Sequence, residues 1–143
     1  MTYKLGIMNY WLMKTEPGTY SWGDLVHDKQ TEWTGVRNYQ ARNSMNAMKI
    51  GDLVFVYHSA NEKQIIGIAK VIREAHADST DKTGVWTCVD IKAVKTLSSP
   101  ITLAEIKADS FFTDMVLVNN SRLSVQPVLV KHWKRILKRT HTV

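Results

Sequence analysis

Residues 52–74 read DLVFVYHSANEKQIIGIAKVIRE. The first eight, Asp52 to Ser59, are rich in β-branched and aromatic side chains, and both alternating sets of positions are apolar. That pattern marks a strand covered on both faces. A polar loop, residues 60–63, leads to a second strand over 64–74, and the two are predicted to pair as a hairpin. Gly67, inside the second strand, marks a bulge or a sharp bend. A bent strand beside one apolar on both faces suits a curved, mostly closed sheet with helices at its ends.

Outward from this hairpin the chain reads as α+β. Residues 10–14 form a short strand, and Pro17-Gly18 turns the chain. Ser21 with Asp24 is a capping-box pattern that opens a short helix. Asn38 is placed to cap a helix over 38–48. Residues 75–84 are a polar loop, and 85–94 a third long strand. Thr102 and Glu105 cap another short helix. Met115–Val118 reads as a strand and residues 122–126 as extended chain. Pro127 opens a final helix, whose apolar stripe is Val130, Trp133, Ile136 and Leu137. Helices and strands do not alternate as a doubly wound parallel sheet requires.

The 143 residues suit one domain. The single cysteine, Cys88, sits in a predicted strand and reads as a small buried hydrophobe; it has no partner for a disulfide and no zinc-ligand spacing around it. The apolar runs fall short of the roughly 20 residues that span a bilayer, and the N-terminus lacks a signal-peptide pattern. A cytoplasmic monomer is the expectation. The net charge of +6 favours anionic partners, nucleic acid first. Lys131, Lys134, Arg135, Lys138 and Arg139 crowd the C-terminal helix, where they equally offset its dipole.

Catalytic signatures are missing. The chain has neither GxGxxG nor GxxxxGK[ST], neither HExxH nor GxSxG. The five histidines show no metal-ligand spacing, and the HxE and PCxxC of zinc deaminases are absent. The absence of these motifs counts against an enzyme. An enzyme acting on a flipped or free base, through Lys14, Glu16 and His58, is the alternative, with a small-metabolite or protein-interaction module as a third.

Residues 33–43, WTGVRNYQARN, carry aromatic planes, amides and guanidinium groups with hardly an aliphatic side chain. Such groups stack on a flat ring, bond its edge or hold a phosphate. Together with YWLMKTEPGTYSW (10–22), VFVYHS (54–59), IIGIAKV (65–71) and RLSVQPV (122–128), this stretch resembles the EVE domain. That domain belongs to the PUA-like fold group, which includes the YTH domain. The resemblance runs from about Asn9 to Leu137, with residues 1–8 as an extension.

The resemblance implies a PUA-like curved mixed β-barrel of about five to six strands flanked by short helices. It implies no cofactor and a non-catalytic pocket that reads a modified base, of the methylated or hydroxymethylated cytosine kind, in DNA or RNA. Matched position by position, the ligand-binding residues would be Lys14, Trp22, Trp33, Gly35, Val36, Arg37, Asn38 and Tyr39 from the first two motif blocks. Tyr57, His58 and Ser59 come from the third, and Ser124, Gln126 and Pro127 from the fourth. By analogy with YTH domains, Trp33 would wall the cage. Asn38 and Gln126 offer amides to a base edge, Arg37 and Lys14 suit phosphate, and Gly35 permits close backbone approach. Each has a plainer alternative. Arg37 and Arg42 read also as surface ions, Lys14–Glu16 as an ion pair across a turn, and His58 as a backbone partner. Trp11, Trp86 and Trp133 read as core, as do Met45 and Met48.

Overall fold

A computed structural model describes residues 8–142. The proposed N-terminal extension, apart from Met8, lies outside the described residues. The strands are β1 (Tyr10–Thr15), β2 (Gln30–Glu32), β3 (Leu53–His58), β4 (Gln64–Ala77), β5 (Thr87–Thr102) and β6 (Val125–Val128). The helices are α1 (Trp22–Asp28), α2 (Tyr39–Ala47), α3 (Leu103–Lys107), α4 (Val116–Asn119) and α5 (Val130–Arg139). A 3-10 turn, Ser110–Phe112, lies between α3 and α4.

The hairpin of β3 and β4 forms as its sequence predicts, with Leu53 opposite Lys70 and His58 opposite Gln64. Around it the sheet has the order β2-β5-β4-β3-β1-β6, with β1 and β3 parallel and the other pairs antiparallel. The order runs from one edge strand to another, so the sheet is mixed and does not close into a barrel. The two apolar faces of β3 have a different cause. Val54 and Val56 point into a core shared with α1 and α2, while Phe55 and Tyr57 point into a second core with α3, α4 and α5. Helices cover both faces, so the central strands need no closure to stay dry.

Gly67 sits at irregularities of both its pairings. A Cβ there would lie 2.4 Å from the indole of Trp22, so the bend also makes room for a ring laid on the strand. Both predicted capping boxes, Ser21/Asp24 and Thr102/Glu105, are formed, and Asn38 caps α2 through Ala41 N–H at 2.9 Å.

Three local expectations are corrected. Met115–Val118 is not a strand: Val116–Asn119 forms one helical turn. Val116 packs on the first core and Leu117 and Val118 on the second, so the segment is wanted on all sides, which overrides β propensity. Pro127 does not open the last helix. It lies in edge strand β6, opposite Trp11, where a missing N–H is tolerated, and α5 begins at Val130. Trp86 is not core; it is half-buried on the surface against Tyr39. Trp11, Trp133, Met45, Met48 and Cys88 are all buried, as expected. Trp133 is sandwiched between Tyr10 (4.5 Å) and Phe55 (3.8 Å).

Candidate nucleic-acid pocket

The chain that leaves β1 turns through residues 16–21 into α1 and returns as β2, so Thr15, Tyr20 and Trp33 converge. Thr15 Oγ1 donates to the Tyr20 carbonyl, and Trp33 N–H donates to the Val89 carbonyl at 2.8 Å. The rings of Tyr20 and Trp33 meet edge to face, centroids 6.3 Å apart. Beside this pair lies a cavity of about 260 Å³ lined by Thr15, Thr19, Tyr20, Thr31, Glu32, Trp33 and Thr34. Ligand pockets run from about 300 Å³ upward, so this one suits a single small ring. Tyr20 is the half-exposed aromatic wall, whereas Trp33 is buried in the first core and presents only a margin of its ring. Four threonines offer hydroxyls, and Glu32, which already accepts from Ser79, offers a carboxylate. The Tyr20 hydroxyl donates to Asp28 at 2.8 Å, and burial followed by that carboxylate raises its pKa, so it remains a neutral phenol.

Of the fourteen positions expected to bind ligand, Trp33 alone lines this cavity. The structure distributes the others. Lys14, Tyr57 and Ser59 line a second cavity of about 350 Å³ with Lys63 and Lys107, on the other side of β1. The Lys14 ammonium lies 5.6 Å from the Tyr57 ring centre and donates to the Ser121 carbonyl instead of pairing with Glu16. Burial lowers the Lys14 pKa and raises that of Tyr57.

Trp22 and His58 form a latch. The Trp22 backbone N–H donates to His58 Nε2 at 2.9 Å, and its indole donates to Thr96 Oγ1 at 2.9 Å. His58 Nε2 therefore acts as an acceptor, and Nδ1 carries the hydrogen that meets Glu62 at 2.9 Å. That bond holds the Glu62 carboxyl below its usual range. Trp22 also borders an open cleft of about 410 Å³ with Val26, Lys29, Gln30 and residues 92–96. The indole is committed to Gly67 and Thr96, which leaves that cleft without a free aromatic face.

The remaining residues hold the walls or lie on the surface. Gly35 takes φ +87°, and its N–H donates to Asp78 at 2.8 Å. Arg37 donates to the same carboxylate at 3.0 Å, and Val36 is buried in the core. Asn38 spends its side-chain acceptor on the α2 cap. Gln126 is fully buried and donates to the Leu123 carbonyl at 2.8 Å, while its Oε1 has no partner among the described residues. Ser124 offers its carbonyl to Lys14 N–H, and Pro127 stays on the exposed edge. Tyr39 is exposed on α2.

Sequence reasoning missed Thr15, Thr19, Tyr20, Thr31, Glu32 and Thr34. Glu32 and Thr34 directly flank Trp33 in the chain, which was the available signal. They escaped because β2 is only three residues long and pairs with β5, about sixty residues away. The fold also gathers donor groups that sequence spacing scatters. Glu32, His76, Cys88 and Asp90 bring one ligand-type atom each within 4.8 Å of one another, so these are the residues that could hold a metal ion. As they stand they have partners: His76 Nε2 meets Asp90 at 2.7 Å, Cys88 Sγ lies 3.8 Å from His76 Nε2, and Ser79 donates to Glu32 at 2.8 Å. Burial, then the nearby carboxylates of Glu32, Asp78 and Asp90, push the Cys88 thiol up to about 12, so it stays protonated.

An open mixed sheet with helices on both faces defines a PUA/YTH-like fold. Residues 9–139 match the EVE domain model, and the chain belongs to the EVE family. Mouse thymocyte nuclear protein 1 is 36% identical over 99% of this chain and 79% of its own length. A structure from Rhodopseudomonas palustris is similar at 48% identity and TM-score 0.89, covering 94% of both chains. The structure of the human thymocyte nuclear protein in complex with 5-methylcytosine containing DNA is similar at 32% identity and TM-score 0.84, covering 94% of this chain and 99% of that one. A YTH domain from Zygosaccharomyces rouxii shares the fold at 16% identity and TM-score 0.59.

Proposed function

We propose that this protein binds a modified cytosine in nucleic acid, taking the base out of its stack into the cavity lined by Tyr20 and the edge of Trp33. The observation that carries the proposal is the cavity itself: one-ring size, a half-exposed Tyr20 ring beside the margin of the Trp33 indole, and threonine hydroxyls with Glu32 in its lining. The human relative in complex with 5-methylcytosine containing DNA supports the ligand class. Stacking on an aromatic ring contributes about 1–3 kcal/mol per base, which offsets the few kcal/mol that extrusion costs. Glu32 is the acceptor for the exocyclic amine, the group a carboxylate reads on cytosine.

Burying one methyl contributes about 0.8 kcal/mol, only about a fourfold preference, since tenfold takes about 1.4 kcal/mol. Stronger selectivity requires that unmodified cytosine leave a void against Trp33 or a threonine hydroxyl unpaired. The reading is binding without turnover.

The test is titration of short single strands carrying cytosine, 5-methylcytosine or 5-hydroxymethylcytosine at one position, at low salt. The wild type is expected to prefer a modified strand at least fourfold, and Trp33→Ala to bind all strands alike. Equal binding of every strand by the wild type overturns the proposal.

A further inference from the structure

The motif VRNYQARN contributes no residue to the cavity lining, yet its side chains are not scattered. Tyr39, 62% exposed, lies tilted on Trp86 with ring centres 4.9 Å apart. The Arg42 guanidinium sits 4.9 Å from the Tyr39 ring centre and 5.5 Å from that of Trp86. Arg37 lies 5.8 Å from Trp86 on the same patch. Two aromatic rings and two guanidinium groups thus form one surface platform.

Its charge is arranged for an anion. Arg42 donates to the Val85 carbonyl at 2.9 Å, a neutral partner, so its full charge remains. Of the nearby carboxylates, Asp78 is buried, and Asp81, at the surface, has its oxygens engaged by local donors. Asp78 is spent on Gly35, Arg37 and Thr80, and Asp81 on Thr83 and the Trp86 N–H at 2.8 Å. The platform is also tied to the pocket. Thr34 lines the cavity and Arg37 follows three residues later, while Ser79 of the 78–86 loop bonds Glu32 on the cavity edge.

We propose that this platform is a second nucleotide subsite, which stacks a base neighbouring the one in the pocket on Tyr39 and Trp86 and sets Arg42 against the strand backbone. The inference rests on the nucleic-acid reading and deepens it: the substrate is a strand with a splayed neighbour, and not a free nucleoside. Stacking of this kind is indifferent to sequence, because every base has a π-face. The platform therefore supplies affinity, and the pocket supplies selectivity for the modification.

The experiment titrates three probes: free 5-methylcytidine, a nine-nucleotide strand with one central 5-methylcytosine, and the same strand with abasic positions on both sides of it. Unmodified versions run alongside. Tyr39→Ala, an exposed change that leaves the fold intact, and Trp86→Ala are expected to weaken both full strands by the same factor, about five- to 150-fold, the range of one aromatic stack. Their preference for the modified strand stays as in wild type, and so does their affinity for the nucleoside. On the abasic strand their effect disappears.

Unchanged strand binding in Tyr39→Ala, with selectivity still lost in Trp33→Ala, overturns the platform and leaves the pocket standing. A Tyr39→Ala effect that persists on the abasic strand also overturns it, since only charge would then be involved. A platform effect in a wild type that ignores the modification supports the subsite and sinks the modified-base reading. No binding of any strand by the wild type overturns both.

Discussion

Asp78→Asn is the sharpest probe of how the pocket wall is held. The Asp78 side chain is fully buried. One carboxylate oxygen accepts from Gly35 N–H (2.8 Å) and Arg37 (3.0 Å), the other from Thr80 N–H (2.7 Å) and the Thr80 hydroxyl (2.6 Å). Four donors thus converge on two acceptors and tie the Trp33–Arg37 segment to the 78–86 loop. Burial pushes the carboxyl up, but the bonds from Thr80, Gly35 and Arg37 outweigh it and bring its pKa down to about 2. An amide keeps the shape and turns one oxygen into a donor. Whichever way it faces, its NH₂ meets an N–H that nothing else satisfies. One buried unsatisfied donor costs about 1–3 kcal/mol, and loss of a charged hydrogen bond about 1.5–3 kcal/mol. The expected total is about 3 kcal/mol, or a fall in melting temperature of roughly 10 °C for a chain of this size. The assay is urea unfolding at pH 7 with the m-value unchanged. A folded pKa depressed from the ordinary 3.8 to about 2 means stability that is fully present above about pH 4 and is lost as pH falls through about 2. That contribution is of order 2 kcal/mol, since each pKa unit is about 1.4 kcal/mol, and the variant's stability should be flatter across the same window. A loss under about 1 kcal/mol at pH 7, or an unchanged acid arm, would refute this account.

Gly67→Ala should cost about 1–3 kcal/mol by overpacking, because its Cβ would meet the Trp22 indole at 2.4 Å; thermal melts check it, and a neutral result would mean that the indole is not lodged there. Trp133→Ala removes the ring stacked between Tyr10 and Phe55 and should cost about 3–5 kcal/mol, read from denaturant midpoints. Cys88, fully buried with its thiol pushed up to about 12, should resist a disulfide-exchange reagent in the native protein and react only on unfolding. Fast reaction under native conditions would contradict that burial.

Local chemistry was enough to determine several parts of this protein. The hairpin of residues 52–74 follows from runs of β-branched and aromatic side chains around a polar loop. Both capping boxes and the Asn38 cap follow from interactions that span three residues. The EVE family was legible because its motifs are long and their side chains are distinctive. Tertiary structure decided what depends on distant partners. A strand apolar on both faces suits a barrel or a sheet packed between two helical layers, and only the positions of α1, α2 and α5 select the second. The Met115–Val118 turn, apolar all round, became helical because two cores compete for it. Trp33 was singled out by its polar neighbours and does border the cavity, although most of its ring is buried in the first core; Glu32, Tyr20 and the threonines were not legible, because a three-residue strand has too little periodicity to reveal its partner. Trp86 was misread as core for the same reason: whether a tryptophan at a strand's start is covered depends on what packs over it, and here that is Tyr39 and two arginines at the surface.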